Sequence, residues 1–352
     1  FDKNRLIFAI EEERINRIKH WAGLPIESIK ACLKFSNISI EEVDYIAINS
    51  NPFSNIFSKI KYSLMNVRDY KFFLEKLFLK SKKISFDKLL RLEFNIKKLP
   101  KIKYFDHHIC HMASAYFPSN FKKSLLISAD GFGDFASTVA AVANDDTIDI
   151  KHKTLFPHSL GIFYQAFTQL IGFKNYGDEY KVMGLSAYGK NRFKDKIDDV
   201  IKITNGNFKL NLNFFHHHNK NMNMKWDNES PKFDDLFNKN LVDLFNFDFV
   251  NKEINEIHMD LAKGVQEKYE EVILQYIKFY KDKFNCDFLS LSGGCAMNSL
   301  ANGKIIEKLN FKDVYIPPAP GDAGGAIGAA ILCDKKLFSS KKKYYQNPYL
   351  GG

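Results

Sequence analysis

The sequence is most constrained near its carboxyl end, where two strand–glycine–helix elements follow one another within about 30 residues. Residues 288–291 are predicted to form a buried strand that runs into the glycines of 292–294 and then into a helix from about Met297. A second strand at 314–316 leads through two prolines to 321–325, where Gly-Asp-Ala-Gly-Gly opens a helix of small residues. Strands that alternate with helices in this way are typical of α/β proteins.

The rest of the chain combines hairpins with helices. Residues 124–129 and 137–142 are predicted to form an antiparallel hairpin around a glycine turn. Apolar residues at three- and four-residue steps predict a long helix over 257–284. Further elements are expected as strands at 6–10 and 43–49, helices at 11–35, 64–96, 163–171 and 180–187, and a strand end leading into a helix at 104–116. The sequence therefore predicts an α/β class with mixed sheets flanked by helices.

Length and composition exclude several classes of protein. The 352 residues correspond to two or three folding units at about 150 residues each. The 33 Phe and 16 Tyr exclude an intrinsically disordered chain. The five cysteines are scattered and form no Cys-x-x-Cys pair, which argues against a disulfide scaffold and for a cytoplasmic location. Neither a signal peptide nor an apolar run of about 18 residues is visible, so no membrane partner is expected.

The formal charge of +10 raises the question of a nucleic-acid partner. The lysines are spread over the chain, and the densest basic stretch, 59–103, has the apolar spacing of a solvated amphipathic helix. Nucleic acid is therefore not an expected partner.

Residues 205–255 are rich in Asn and Lys and are expected to be a surface insertion with only loose structure. The three histidines at 216–218 are expected to be solvated rather than bound to metal.

The strongest local cluster of reactive side chains is the histidine motif at 106–111. His107 and His111 are four residues apart, so on a helix their imidazoles share one face and could chelate one metal ion. The same spacing is also compatible with two histidines that are satisfied by polar neighbours. Position 108 is His rather than the Glu of a zinc-protease helix, which argues against a protease.

Two aspartates lie beside glycines, one where a predicted strand ends and one where a predicted helix begins. Asp130 precedes Gly131 and Gly133, and this order can place a carboxylate near a phosphate-bound metal while the glycines let backbone N–H groups approach the phosphate. A plain hairpin turn is the alternative for this segment. Asp322 lies among glycines at a predicted helix start and is available as an anionic metal ligand.

The turn at 292–294 could cradle a nucleotide with Gly293, Gly294 and the N–H groups of the following helix. Close packing between strand and helix is the alternative. Cys295 is more typical of a small buried thiol than of a nucleophile. Lys181, in a Gly-Asp-Glu-Tyr-Lys segment before a helix, could neutralise a phosphate or could simply be exposed.

Several longer motifs occur together in a fixed order. They are Glu-Glu-Glu-Arg at 11–14 with Arg17, Lys19 and His20, the histidine motif at 107–116, Asp-Gly-x-Gly at 130–133, Ser-Leu-Gly-x-Phe-Tyr at 159–164, Gly-Asp-Glu-Tyr-Lys-x-Met-Gly-Leu at 177–185, His-Met-Asp-Leu-Ala at 258–262, and the two glycine segments near the carboxyl end. In this set the sequence resembles the NodU/CmcH-type O-carbamoyltransferases over essentially its whole length.

The resemblance implies a two-lobed fold of the actin/sugar-kinase/heat-shock-protein ATPase type, close to the tRNA threonylcarbamoyl-transfer proteins. It implies a cleft that holds ATP-derived carbamoyl-adenylate and a divalent metal ion, usually iron. Carbamoyl-adenylate is made from ATP and carbamoyl phosphate, and the carbamoyl group passes to a hydroxyl of a small acceptor such as a sugar or natural product. Carried over by motif, the metal ligands are His107, His111, Asp130 and Asp322.

The same resemblance implies roles for further residues. Lys19 and Arg14 are the cations expected nearest the transfer chemistry. The residues expected on the nucleotide side are Gly131, Gly133, Lys181, Gly293, Gly294 and Asn298.

The resemblance also implies a division of the chain. Residues 1–123 would form the first lobe, 124–345 the second lobe with the insertion around 205–255, and 346–352 the start of a linker to a YrdC-like domain. The family's amino-terminal turn and that YrdC-like domain are not in the sequence, so the chain is expected to transfer a carbamoyl group without making the adenylate.

Two other functions stay open at the level of sequence. One is tRNA threonylcarbamoyl transfer on the same fold, against which stands the replacement of that family's His-Met-Glu-Gly-His helix by His-His-Ile-Cys-His at 107–111. The other is a non-catalytic nucleotide-binding remnant. The sequence leaves the acceptor, the identity of the metal and the oligomeric state undetermined.

Overall fold

The fold is described from a computed structural model. The described residues are 1–2, 5–21, 23–65, 86–220, 222–225, 230–247, 249, 253–338 and 349–351. Most of the helix expected at 64–96 and most of the linker expected at 346–352 lie outside these ranges.

The α-helices of the described residues are α1 (Glu12–Asn16), α2 (Ile26–Ser36), α3 (Ile56–Met65), α4 (Phe86–Phe94), α5 (His107–Tyr116), α6 (Leu160–Leu170), α7 (Glu179–Leu185), α8 (Lys194–Asp198), α9 (Lys239–Phe245), α10 (Glu256–Phe284), α11 (Ser299–Lys308) and α12 (Asp322–Phe338). The β-strands are β1 (Tyr45–Ile48), β2 (Lys101–Tyr104), β3 (Lys123–Gly133), β4 (Ala136–Asn144), β5 (Thr147–Leu155), β6 (Ile201–Thr204), β7 (Asn207–Leu210), β8 (Met224–Lys225), β9 (Lys232–Phe233), β10 (Phe288–Ser292) and β11 (Asp313–Tyr315). Among the helices so described, none is both long enough and apolar enough to cross a membrane.

A five-stranded mixed sheet forms the centre of the molecule, with strand order β11-β10-β3-β4-β5. Strand β10 pairs in parallel with both β11 and β3, whereas β3, β4 and β5 form an antiparallel meander. The parallel half comes from the two strands that run into glycine turns, and the antiparallel half contains the predicted hairpin. The predicted α/β class with mixed sheets is therefore confirmed.

Helices pack on both faces of this sheet. Successive residues of β3 point to opposite faces, so they enter two different hydrophobic cores. Leu125 and Ile127 belong to a large core with α6 and α10. Leu126 belongs to a second core with residues of α5 and with Ile331 of α12. The second face thus brings α5 and α12 together beside the strand that carries Asp130.

The small residues of α12 allow its backbone to touch α5. A Cβ added at Gly328 would lie 1.8 Å from the carbonyl oxygen of Cys110, so only glycine fits at this crossing. The contact brings the helix that begins at Asp322 against the helix that carries the histidine pair. The composition of the predicted small-residue helix therefore has a packing reason.

The amino-terminal segment differs from its prediction. Residues 6–10 form no strand among the described residues, because no neighbouring strand pairs with them. The helix expected over 11–35 is divided into α1 and α2. Arg17 ends α1 in a left-handed conformation with a φ of 64°, and Pro25 stands before α2, so the helical periodicity does not continue across the break.

The segment 205–255 is more ordered than expected. Phe208, Phe215, Phe245 and Phe249 are buried in the larger core, so these aromatic residues anchor the segment to the body of the protein. Of the three consecutive histidines, His217 is buried, and its Nε2 lies 2.8 Å from the carbonyl oxygen of Pro157. The prediction of a loose surface segment is wrong for these buried phenylalanines, and the prediction of a solvated side chain is wrong for His217.

Candidate metal centre

Two histidines and two aspartates meet where α5, β3 and α12 converge. His107 and His111 lie on α5, Asp130 lies on β3, and Asp322 is the first residue of α12. One ligand atom from each of these four residues lies within 4.8 Å of the other three. Helix geometry places the imidazoles on one face, and the side chain of Asp106 caps α5 by accepting a hydrogen bond from the N–H of Ile109 at 3.2 Å.

The separations between the donor atoms are short and similar. The Nε2 atoms of His107 and His111 are 3.1 Å apart. Oδ2 of Asp130 lies 3.6 Å and 3.2 Å from these two nitrogens, and Oδ1 of Asp322 lies 3.5 Å and 3.3 Å from them. The structure thus brings together all four residues expected to bind metal.

Burial sets the electrostatics of this group. Burial opposes charge on Asp130, but its contacts with His107 and His111 outweigh burial and hold its pKa well below the usual range. Burial likewise opposes charge on His111, and the contacts with Asp130 and Asp322 outweigh it and raise the pKa of His111 to about 9. Burial and the charge of His107 lower the pKa of His108 to about 3, so His108 is neutral.

The group fits a divalent transition-metal ion. Donors at about 2.0–2.2 Å from a shared ion in tetrahedral arrangement lie about 3.3–3.6 Å apart, which is close to the observed separations. Oδ2 of Asp130 is buried, faces both imidazoles and makes no well-formed hydrogen bond to the described residues. Two imidazoles with two carboxylates suit iron, manganese or zinc.

Gly133 and Gly131 have different surroundings, although both were expected on the nucleotide side. A Cβ added at Gly133 would lie 1.9 Å from Cδ2 of His107, so the imidazole of His107 packs directly on this glycine. A Cβ added at Gly131 meets no atom within 4 Å. Gly133 therefore has a packing function, and the space beside Gly131 is open to a ligand.

Gly293 and Gly294 allow the turn after β10 to approach β3. Gly293 has a φ of 89°, and an added Cβ would lie 2.1 Å from the carbonyl oxygen of Ala129. The N–H of Gly293 donates to the carbonyl oxygen of Pro320 at 2.7 Å, which joins the two glycine turns. A Cβ at Gly294 would lie 3.0 Å from Oδ1 of Asp130. The close-packing alternative thus has direct support at Gly293.

Lys181 and Asn298 have partners within the protein. Nζ of Lys181 lies 2.7 Å from Oδ1 of Asp178. The amides of Asn298 and Gln266 bind each other through two hydrogen bonds of 2.9 Å, and Oδ1 of Asn298 also accepts from the N–H of Ala301 at the start of α11. These contacts position both side chains without a nucleotide.

Arg14 and Lys19 are exposed near the amino terminus. No contact within the described ranges joins either cation to the four-residue group. Their neighbour His20 does reach the second half of the chain, because its ring lies 5.9 Å from that of Tyr176 and a Cβ at Gly177 would lie 2.1 Å from its Nε2. The amino-terminal motif therefore packs against the turn that precedes α7.

Two residues near the group were given no role by the sequence. Asp134 follows Gly133, and its carboxylate accepts hydrogen bonds from the segment after β1 and from α5. Glu179 opens α7, and its burial together with the charges of Asp178 and Asp130 raises its pKa to about 7. The signals available in the sequence were the position of Glu179 inside the motif at 177–185 and that of Asp134 directly after the motif at 130–133.

Comparison with known proteins decides the family. Residues 1–331 match the family model described as carbamoyltransferase N-terminus. The chain belongs to this carbamoyltransferase family. It is 34% identical over 340 residues to the uncharacterized protein sll1178 of Synechocystis, a match that covers 93% of this chain and 53% of that protein. It is 30% identical over 359 residues to the nodulation protein NolNO of Sinorhizobium fredii, covering 99% of this chain and 48% of that protein.

This chain of the carbamoyltransferase family spans about half the length of the curated relatives it matches. A crystal structure of full-length HypF in the phosphate- and nucleotide-bound form is similar over 71% of this chain and 45% of that protein, with 13% identity and a TM-score of 0.36. That TM-score is too low to assign the two-lobed fold, which stays a prediction together with the lobe boundaries.

The raised pKa of Glu179 predicts a specific pH dependence of stability for this chain. Its pKa is raised from 4.5 to about 7 in the folded state, so the folded state binds the proton more tightly than the unfolded chain. The free energy of unfolding should therefore fall as pH rises from about 4.5 through about 7, by at most about 3 kcal/mol. We expect Glu179→Gln to remove the contribution of Glu179 to this fall, so the difference in the free energy of unfolding between pH 5 and pH 8, measured with urea, should change relative to the unmodified protein.

Glu307→Gln, at an exposed glutamate of α11, is the control for this measurement. It should leave the difference between pH 5 and pH 8 as it is in the unmodified protein. An equal difference in the Glu179→Gln variant and the unmodified protein would contradict the assigned environment of Glu179.

Proposed function

We propose that the chain transfers a carbamoyl group from carbamoyl-adenylate to a hydroxyl of a small acceptor such as a sugar or natural product. The observation that carries the proposal is the convergence of two imidazoles and two carboxylates in a chain of the carbamoyltransferase family. The proposal includes the two-lobed ATPase-like fold, which the mixed sheet covered by helices on both faces supports. It also includes a cytoplasmic location, supported by the free cysteines.

The proposed transfer is a substitution at the carbamoyl carbon. The acceptor oxygen forms a bond to that carbon, the bond between the carbamoyl carbon and the phosphate oxygen breaks, and AMP leaves with the electron pair while a base takes the hydroxyl proton. His107, His111, Asp130 and Asp322 would hold a divalent ion, iron being the choice that the family resemblance favours. When bound, such an ion supplies positive charge to phosphate and carbamoyl oxygens.

The residues of the chain would bind and orient the adenylate. Arg14 and Lys19 are proposed as cations that stabilise the charge developing on the leaving phosphate. The open space beside Gly131 supports its place on the nucleotide side. Gly294 is proposed beside it, because a Cβ added at Gly294 would lie 3.0 Å from Oδ1 of Asp130. For Gly133, Gly293, Asn298 and Lys181 the contacts within the protein support an indirect role, in which they fix the walls of the site.

The carbamoyl donor would reach this site from a YrdC-like domain that uses ATP and carbamoyl phosphate. This supply is part of the proposal.

The test is acceptor-dependent release of AMP from supplied carbamoyl-adenylate by the purified, metal-loaded protein. We expect at least one member of a panel of sugars and other polyols to raise AMP release at least tenfold above the hydrolysis rate, with an O-carbamoyl product seen by mass spectrometry. Binding to the adenylate without turnover for any acceptor would favour a non-catalytic remnant. Tight, salt-sensitive binding of tRNA together with transfer to tRNA would instead favour the tRNA-modifying alternative.

A further inference from the structure

The turn after β3 places another carboxylate next to the candidate metal centre. Asp134 and Phe135 both have left-handed backbones, with φ values of 50° and 75°. Aspartate tolerates this conformation, whereas an aromatic residue rarely adopts it. The two residues close the hairpin between β3 and β4, in which Gly133 pairs with Ala136, and positive φ at both central positions is typical of such a loop. The contacts of Asp134 hold this turn against two other segments.

The carboxylate of Asp134 accepts three hydrogen bonds from two segments that are distant in sequence. Oδ1 accepts from Oγ of Ser50 at 2.9 Å. Oδ2 accepts from the N–H of Asn51 at 2.8 Å and from the N–H of His107 at 2.9 Å. The carbonyl oxygen of Asp134 accepts from Nδ2 of Asn55 at 2.9 Å. Both carboxylate oxygens are thus taken by protein donors, and Asp134 is not one of the four candidate ligands.

Gly133 and Asp134 together fix both the backbone N–H and the imidazole of His107. The first N–H groups of a helix have no partner within the helix, and the N–H of His107 finds one in Asp134. The imidazole of the same residue packs on Gly133. Because Asp130 lies on the same strand, this arrangement sets the position of Nε2 of His107 relative to the Asp130 carboxylate.

Residues 49–51, which follow β1, contact both Asp134 and the fourth candidate ligand, Asp322. Nδ2 of Asn49 donates to the carbonyl oxygen of Asp322 at 3.3 Å, and the next two residues, Ser50 and Asn51, bind Asp134. One short segment is thus bonded both to the start of α12 and to the turn that holds α5. We propose that Asp134 is a positioning residue that sets the metal affinity of this centre, an inference that rests on the proposed metal site.

The test is a titration with Co²⁺ alone, followed by the visible absorption of the bound ion, which reports its coordination geometry. We expect Asp134→Ala to weaken Co²⁺ binding by about 10- to 100-fold and to alter the spectrum. Asp134→Asn keeps an oxygen that can accept both backbone N–H groups, so we expect binding within about threefold of the unmodified protein and an unchanged spectrum.

Asp145→Ala is the matched control. Asp145 also has a left-handed backbone in a hairpin turn, with a φ of 48°, and it is exposed between β4 and β5. We expect this variant to show a similar loss of thermal stability from the backbone but full Co²⁺ affinity. Should Asp134→Ala not fold, Ser50→Ala removes one of the same hydrogen bonds and should weaken binding at least threefold.

The outcomes separate the two proposals. If the unmodified protein binds no Co²⁺, the proposed metal site is wrong and this inference fails with it. If the unmodified protein binds Co²⁺ and the folded Asp134→Ala variant, or failing that Ser50→Ala, binds it equally well, the metal site stands and the positioning role of Asp134 is overturned.

Discussion

His107→Ala and His111→Ala are expected to abolish stoichiometric metal binding. The side chain of His111 is fully buried, and its Nε2 lies 3.2 Å from Asp130 and 3.3 Å from Asp322, so its loss removes one of the four candidate donors. Metal affinity should fall by more than about 100-fold in either variant, since even residues outside the ligand shell are worth about 10- to 100-fold. Elemental analysis of purified protein and a Co²⁺ titration measure the effect.

His108→Ala is the matched control, because it removes a buried histidine from the same helix. Nδ1 of His108 lies 2.8 Å from Oγ of Ser128, and His108 is not one of the four candidate ligands. This variant should lose stability by about 1–3 kcal/mol but keep its full metal content. Full metal content in His111→Ala, or loss of metal in His108→Ala, would contradict the ligand assignment.

Gly133→Ala is expected to disable the same centre without removing any ligand. The new methyl group would lie 1.9 Å from Cδ2 and 2.2 Å from Cγ of His107, far inside van der Waals contact. Either the imidazole or the turn after β3 must move, and we expect at least a tenfold loss of metal affinity together with about 1–3 kcal/mol of stability. Metal titration and thermal unfolding test this expectation.

Gly131→Ala provides the comparison two residues away on the same strand. Its methyl group would meet no atom within 4 Å, so stability should change by less than about 0.5 kcal/mol and metal affinity should be retained. Any loss of activity with carbamoyl-adenylate in this variant would then be due to weaker binding or wrong placement of the adenylate beside residue 131, and not to a change of the fold. Equal metal affinity in Gly133→Ala and the unmodified protein would show that His107 does not depend on this glycine.

The histidine pair could be predicted because its geometry is local. Four-residue spacing on a helix determines that His107 and His111 share a face, whatever surrounds the helix. The two aspartates were different, since only the family resemblance joined Asp130 and Asp322 to the histidine pair as ligands of one ion. Their approach to the imidazoles depends on the pairing of β10 with β3 and on the contact of α12 with α5.

The errors in the fold prediction also arise from contacts between residues that are far apart in the chain. Residues 6–10 have the composition of a strand, but a strand requires a partner, and composition does not supply one. The phenylalanines of 205–255 looked like aromatic residues scattered in a polar segment. They are buried because α6 and α10 provide the opposite wall of the core.

The sequence by itself determined the family, the α/β class and the residue types of the candidate centre, because motifs, periodicity and helical spacing depend on residues that lie within a few positions of one another along the chain. Only the tertiary structure decided that Gly133 supports an imidazole, that Gly293 serves a backbone crossing and that Asp134 fixes the start of α5. These functions depend on atoms that come close through sheet pairing and helix packing. Such contacts join residues far apart in the chain, and no local pattern records them.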